Sequence, residues 1–195
     1  MNKTNQKDTL RNIEYHSIQN TLEKSETLVY ITKKEFYNKL KNIKKYNEIK
    51  KLESLYFQHG TTTVYKHSRN VAYYSMLIAK KLEEKFNIKF NYNNLIIGAF
   101  LHDLFLYDWH EKDASHRLHG YRHPHTASVN AKNMCNVNED VVKIIKSHMW
   151  PLTIRKIPST RETIIVCFVD KLVAMNETIQ FIRFFNKIKT AFVVR

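Results

Sequence analysis

The stretch NNLIIGAFLHDLFL, Asn93–Leu106, decides how this chain is read. It is apolar on nearly every face, so a helix here has no side to turn to water and becomes the central helix of a bundle. Gly98 weakens such a helix, and its place in this run signals close approach of a neighbouring helix. Within the run stand two polar neighbours, His102 and Asp103. A buried carboxylate must be paired, protonated or bound to a cation, because apolar surroundings penalise an isolated charge. Adjacent helical residues point about 100° apart, so both reach one ion only if it lies over the seam between them. Read alone, the doublet is equally a His–Asp ion pair within or between helices.

Working outward, the neighbouring segments also read as helices. Upstream, a helix from near Val64 to about Phe86 buries Val71, Tyr74, Ile78, Ala79 and Leu82, and it carries His67 in its first turns. Before it come a polar break, QHGTTTV (58–64), and a helix from about Lys33 to Phe57. Phe36, Leu40, Ile43, Leu52 and Leu55 form the apolar face of that helix. Thr32 and Glu35 supply its capping box. Residues 1–30 are polar and weakly periodic, as in a loosely docked segment.

Downstream, YDWHEKDASHRLHGYR (Tyr107–Arg122) is the longest irregular stretch. It is polar, aromatic and rich in histidine, and it predicts a loop that forms the mouth of a site. A helix from about Pro124 to Met134 follows, since Pro suits a first turn. Another runs from Glu139 to His148 and is closed by Trp150-Pro151. A helix from about Glu162 to Asn176 carries Asp170 directly after the apolar run IIVCFV, and an amphipathic terminal helix comes last. The expected organisation is an N-terminal segment and helix over 1–55, a helical domain over 56–178 and a C-terminal helix over 179–195.

Composition agrees with this reading. Only three Gly and three Pro in 195 residues leave little material for the tight turns of a β-rich fold. The fold class is therefore all-α, a single-domain helical bundle. Two cysteines make neither a disulfide framework nor a Cys-rich zinc site. Cys167, inside its apolar run, reads as an inert core residue. No apolar stretch approaches a bilayer span, and no apolar leader begins the chain, so a cytoplasmic setting without a membrane partner is expected. The net charge of +14 admits nucleic acid or phosphorylated partners. The lysines, however, are interleaved with acids, as in KKLEEKF, which is the pattern of a solvated helix face.

Imidazoles and carboxylates are the ligands divalent transition metals prefer in hydrolytic sites. Asp170 repeats the difficulty of Asp103, and two such aspartates are better explained by one shared cation than by separate accidents. The order His67, His102-Asp103, Asp170 resembles the HD superfamily of metal-dependent phosphohydrolases. HSRNVAYYSMLIA (67–79) is similar to its first-histidine helix and GAFLHDLF (98–105) to its doublet helix. The strings LHDLFLYDWH, LHGYRHP and HMWPL resemble a bacterial branch of that superfamily. The matching stretch runs from about Tyr56 to Asn176.

By resemblance, His67, His102, Asp103 and Asp170 bind one divalent metal. His123 and His148 match the added histidines that bind a second ion in some members, with Asp103 as the bridge. His119 and His125 compete for the role of His123, whereas His59, His110 and His116 read as loop or solvent-facing. Mixed nitrogen and oxygen ligands suit Mn, Fe, Co or Ni and do not exclude Mg or Zn. Asp103 and Lys171 are the candidate catalytic pair, and Arg69 and Arg122 are further phosphate-binding candidates. The implied activity is hydrolysis of a phosphomonoester or phosphodiester of a small nucleotide-like molecule. The alternatives are a basic nuclease or nucleic-acid binder, and a metal-containing nucleotide sensor without turnover. Nothing in the sequence speaks against an oligomer.

Overall fold

The computed structural model describes residues 32–111 and 118–193, with the side chains of residue 59 and of residues beyond 180 left out. The chain divides into two compact units, Met1–Lys39 and Leu40–Arg195. In the first, the described residues belong to helix α1, which spans 32–41, and Phe36 is buried there. Everything below concerns the second.

The described part is all-α apart from one short hairpin. In order it comprises α2 (Tyr46–Glu53), β1 (Phe57–His59), β2 (Thr62–Thr63), α3 (Val64–Phe86), α4 (Tyr92–Leu101), α5 (His119–Cys135), α6 (Glu139–Ser147) and α7 (Arg161–Val193). No helix among the described residues is long and apolar enough to cross a membrane.

α4 is the centre, as its composition requires. It packs against α3 and α6, while α7 closes over α3 and α6. Leu95, Ile96, Ala99, Phe100 and Leu101 are all buried. A Cβ on Gly98 would come within 2.7 Å of Ile144 Cγ2 on α6, so the glycine does mark the close helix approach. Asn side chains start two of these helices. Asn91 accepts from the Asn94 amide and Asn138 from the Val141 amide, filling orphan donors at the N-termini of α4 and α6. Thr63 does the same for α3 through the Lys66 amide.

Several expectations are corrected. The helix expected over 33–57 is two helices, broken where Lys45 adopts left-handed backbone, φ 60°. Its apolar spacing continues across the break through Ile43, Tyr46 and Ile49, and periodicity alone cannot reveal the interruption. Leu55, expected in the core, is exposed. The polar break is an antiparallel hairpin. On α3 the buried stripe is rotated, with Ser68 and Ser75 inside and Tyr74 outside, because small side chains let the neighbouring helices come close.

α4 ends at Leu101, not Leu106, so the His–Asp doublet lies at a helix terminus and in the turn after it. α5 begins at His119, five residues before Pro124, which becomes an interior proline. α7 continues without a break to Val193, so no separate terminal helix begins near 178. Residues 1–30 and Lys112–Arg117 of the expected loop lie outside the described residues.

Candidate metal centre

Five elements bring six side chains together. His67 comes from the first turns of α3, His102 from the C-terminal cap of α4 and Asp103 from the turn behind it. His123 comes from α5, His148 from the C-terminal cap of α6 and Asp170 from α7. All six are buried. They form three overlapping groups able to hold a cation: His67, His102 and Asp103; His102, His148 and Asp170; and Asp103, His123 and His148.

Asp103 divides its oxygens between two sides. Its Oδ2 is 3.3 Å from His102 Nε2 and 3.7 Å from His67 Nε2. Its Oδ1 is 3.2 Å from His123 Nε2 and 3.5 Å from His148 Nε2. Asp170 Oδ1 stands 3.1 Å from His67 Nε2 and 3.4 Å from His102 Nε2.

The outer ring nitrogens settle which tautomer each histidine holds. His102 Nδ1 donates to the Ala99 carbonyl at 2.8 Å, His148 Nδ1 to that of Ile145 at 2.7 Å, and His123 Nδ1 to that of His119 at 2.8 Å. His67 Nδ1 donates to Glu177 Oε2 at 2.9 Å. A carbonyl can only accept, so each of the first three Nδ1 atoms carries the hydrogen. In their neutral form these rings aim Nε2 lone pairs inward. Two of these, on His123 and His148, approach to 2.8 Å, and others face carboxylate oxygens. Lone pairs converging in a buried site need a proton or a cation between them. Among the described residues, His102 Nε2 and Asp103 Oδ1 lie within 3.5 Å of oppositely charged atoms but make no well-aligned hydrogen bond. The donor set, four imidazoles with two carboxylates, is that of divalent transition metals. These residues fit such an ion.

Protons and a cation compete for these lone pairs, and the electrostatics show how strongly. Burial lowers the His67 pKa, but hydrogen bonds to Asp170 and Glu177 outweigh it and hold the group at about 9. Burial also lowers His102, yet Asp103 and Asp170 raise it well above the ordinary range. Burial acts to raise both aspartates, but His102 in particular keeps Asp103 and Asp170 well below the usual carboxylate range. His148 is pushed down to about 3 by burial and by the neighbouring His102 and His123. Its Nε2 is therefore bare at neutral pH.

Three residues here escaped the sequence reading. Gln58, from the hairpin, donates Nε2 to Asp103 Oδ2 at 2.6 Å. Glu177 anchors His67 and itself accepts from Asn70 Nδ2 at 3.5 Å. Seven residues separate Asp170 from Glu177, two helical turns on one face, and that spacing was the available signal. Glu53 is buried, and neither of its carboxylate oxygens has a hydrogen-bond partner among the described residues. Burial first, then the charge of Asp103, raises its pKa well above normal. No spacing pattern points to Gln58 or Glu53.

Asp103, His123, His148 and Asp170 of the cluster line a cavity of about 250 Å³. Gln58, Trp109, His119, Met149 and Lys171 are among its walls. His119 is not among the cation-holding groups. It accepts or donates at Nδ1 with Tyr107 Oη at 2.9 Å and stacks between Trp109 and His123. His125 is exposed, and so is His110, which bonds Asp108. His116 and Arg117 lie outside the described residues, as does the side chain of His59. Lys171 Nζ donates to the carbonyls of His148 and Cys167 at 2.8 and 3.0 Å. Arg69 bonds Asn70, and neither Arg69 nor Arg122 is among the described residues lining the cavity.

A family model described as HD domain matches residues 64–175. No curated protein and no solved structure matches the chain.

Proposed function

Because the chain belongs to the HD domain family, a superfamily of metal-dependent phosphohydrolases, we propose that it hydrolyses a phosphomonoester or phosphodiester bond of a small nucleotide-like molecule. The observation that carries this reading is the divided carboxylate of Asp103, with imidazole nitrogens facing each of its oxygens. His67, His102, Asp103 and Asp170 would hold one divalent ion, and His123 and His148, with Asp103, would hold a second.

A bound divalent ion supplies Lewis acidity toward phosphoryl oxygens and makes water acidic enough to react near neutral pH. The protein's part is to prepare that site. The four Nδ1 anchors fix each ring so that no reorganisation is needed when the ligands engage. Gln58 holds Asp103 in the orientation that separates its two oxygens. Trp109 and Met149 wall the cavity with apolar surface, which strengthens charge interactions inside it. Lys171 places positive charge at the wall, where a phosphate dianion approaches. In the reaction the oxygen of water joins phosphorus, the ester P–O bond breaks, and the departing alkoxide takes up a proton.

The test is a screen of purified protein with Mn²⁺, Fe²⁺, Co²⁺, Ni²⁺, Zn²⁺ and Mg²⁺ against nucleotides and simple phosphate esters. Metal-dependent release of phosphate or nucleotide, absent in Asp103→Ala, is expected. Bound metal with no turnover under any combination would replace this reading with that of a sensor. The net charge of +14 favours one further reading, long nucleic acid as substrate. That reading requires affinity that falls steeply as salt rises.

A further inference from the structure

A second cavity, of about 350 Å³, shares a lining residue with the first. It lies between the segment after α6 and the outer face of α7. Trp150, Ile157, Ile164 and Phe168 form its walls. Lys171 lines both this cavity and the one over the metal centre. Trp150 also follows His148 by two residues, and the Cys167 thiol, donating to the Trp150 carbonyl at 3.1 Å, ties this wall to α7. Trp150 is 40% exposed, Ile164 57% and Phe168 57%. Such apolar exposure in one place, beside a polar site, is what a ligand-binding cleft displays.

The chemistry of the walls restricts the occupant. Two aromatic rings and two isoleucines offer stacking and dispersion. The ammonium of Lys171 is already engaged by two carbonyls and the Cys167 sulfur, and the Cys167 thiol donates to the Trp150 carbonyl. Little remains to read the polar edge of a ring system. The volume is within the range of small-ligand pockets and admits a flat system of one or two fused rings.

We propose that this cavity seats a flat apolar ring carried by the leaving group of the substrate, held by stacking on Trp150 and Phe168 and by contact with Ile157 and Ile164, while the phosphate lies over the metal centre on the other side of Lys171. The substrate class is then a phosphate ester of a ring-bearing alcohol, selected by shape and apolar area with no reading of ring-edge hydrogen bonds. This rests on the phosphohydrolase reading for its reaction but not for its binding.

The experiment separates the two. Ethyl phosphate and 2-(1-naphthyl)ethyl phosphate have primary alkoxide leaving groups of similar basicity, so a rate difference between them reads ring binding. The matching non-hydrolysable phosphonates are titrated calorimetrically into metal-loaded protein. The naphthyl compounds should show kcat/KM and affinity each at least about tenfold better than the ethyl compounds. Ile164→Trp, which fills the cavity from an exposed position, should remove that preference and leave ethyl phosphonate binding unchanged. Phe168→Ala, which opens it, should weaken the preference as well.

Equal affinity for the two phosphonates, or a preference that survives both substitutions, overturns the proposal even if both esters are hydrolysed. A clear phosphonate preference with hydrolysis of neither ester, and no turnover in the screen of metals and nucleotides, upholds the cavity and removes the phosphohydrolase reading.

Discussion

The carboxylate of Asp103 faces His67 and His102 with one oxygen and His123 and His148 with the other. Its removal therefore acts on both halves of the centre at once. Asp103→Ala should lose nearly all bound metal by elemental analysis while keeping its helical circular dichroism. Metal content equal to wild type would sink the ligand assignment. Glu177 acts one step further out. Its carboxylate is the only non-carbonyl partner among the four Nδ1 anchors. It both orients His67 and makes the ring a better donor. Glu177→Ala should weaken metal affinity about 10–100-fold, the usual effect of losing such a partner. Glu177→Gln, which keeps an acceptor without the charge, should fall between. Competition with a chromophoric chelator measures both, and an unchanged affinity in the alanine variant would show that His67 needs no carboxylate. At this scale the polar residues in apolar runs were legible, because burying His102, Asp103 or Asp170 has to be compensated by something. Gln58 and Glu53 were not, because a polar residue at the edge of a polar segment carries no such signal until the fold buries it.

Among the elements, α4 and α6 set the spacing of the centre, since each presents a histidine from its C-terminal cap. The Nδ1 atoms of His102 and His148 donate to carbonyls three residues back, satisfying terminal acceptors that a helix leaves open. Helix end and candidate ligand are thus one feature. The sequence marked the end of α6 with Trp150-Pro151. It gave no stop signal at Leu101, because the apolar run continues through Leu104, Phe105 and Leu106 and the chain turns there with Leu106 at φ 59°. α5 was misread in the opposite sense. A proline within a helix normally marks its first turn, but here Trp109 stacks on His119, Phe105 and Tyr107 meet its ring edge-on, and these contacts hold an earlier start.

The contact between α4 and α6 gives a direct test. Gly98→Ala places a methyl group within 2.7 Å of Ile144 Cγ2 and 2.9 Å of its Cβ, a branched side chain with little room to turn. Urea unfolding should show a loss of about 1–3 kcal/mol, the range for overpacking a tight core. A variant as stable as wild type would mean that the two helices separate freely, and the metal centre would not depend on their spacing.

For the molecule as a whole, scarcity of Gly and Pro was enough to give an all-α fold. The same signal, read further, also held the continuity of α7, for neither residue occurs after Pro158. The hairpin Phe57–Thr63 was illegible because a three-residue and a two-residue strand are too short to show alternation. What the fold achieves globally is to place six ligand candidates from α3, α4, the turn after it, α5, α6 and α7 around one point. Unfolding scatters them, so any ion bound there is bound by the folded state alone. Stability must then rise with metal concentration by RT ln(1 + [M]/Kd), about 2.7 kcal/mol for one site at a hundred times its Kd. Adding Mn²⁺ or Co²⁺ to chelator-treated protein should raise the melting temperature, and EDTA should reverse it. The rise should be absent in Asp103→Ala. His148→Ala separates one ion from two: wild type should bind two per chain at saturation and the variant one, with a smaller rise in melting temperature. A single ion per chain in saturated wild type, with full activity in His148→Ala, would leave only the site of His67, His102, Asp103 and Asp170. A melting temperature indifferent to every metal would remove both sites, because no ion can bind a centre drawn from so many helices without stabilising the arrangement that holds them.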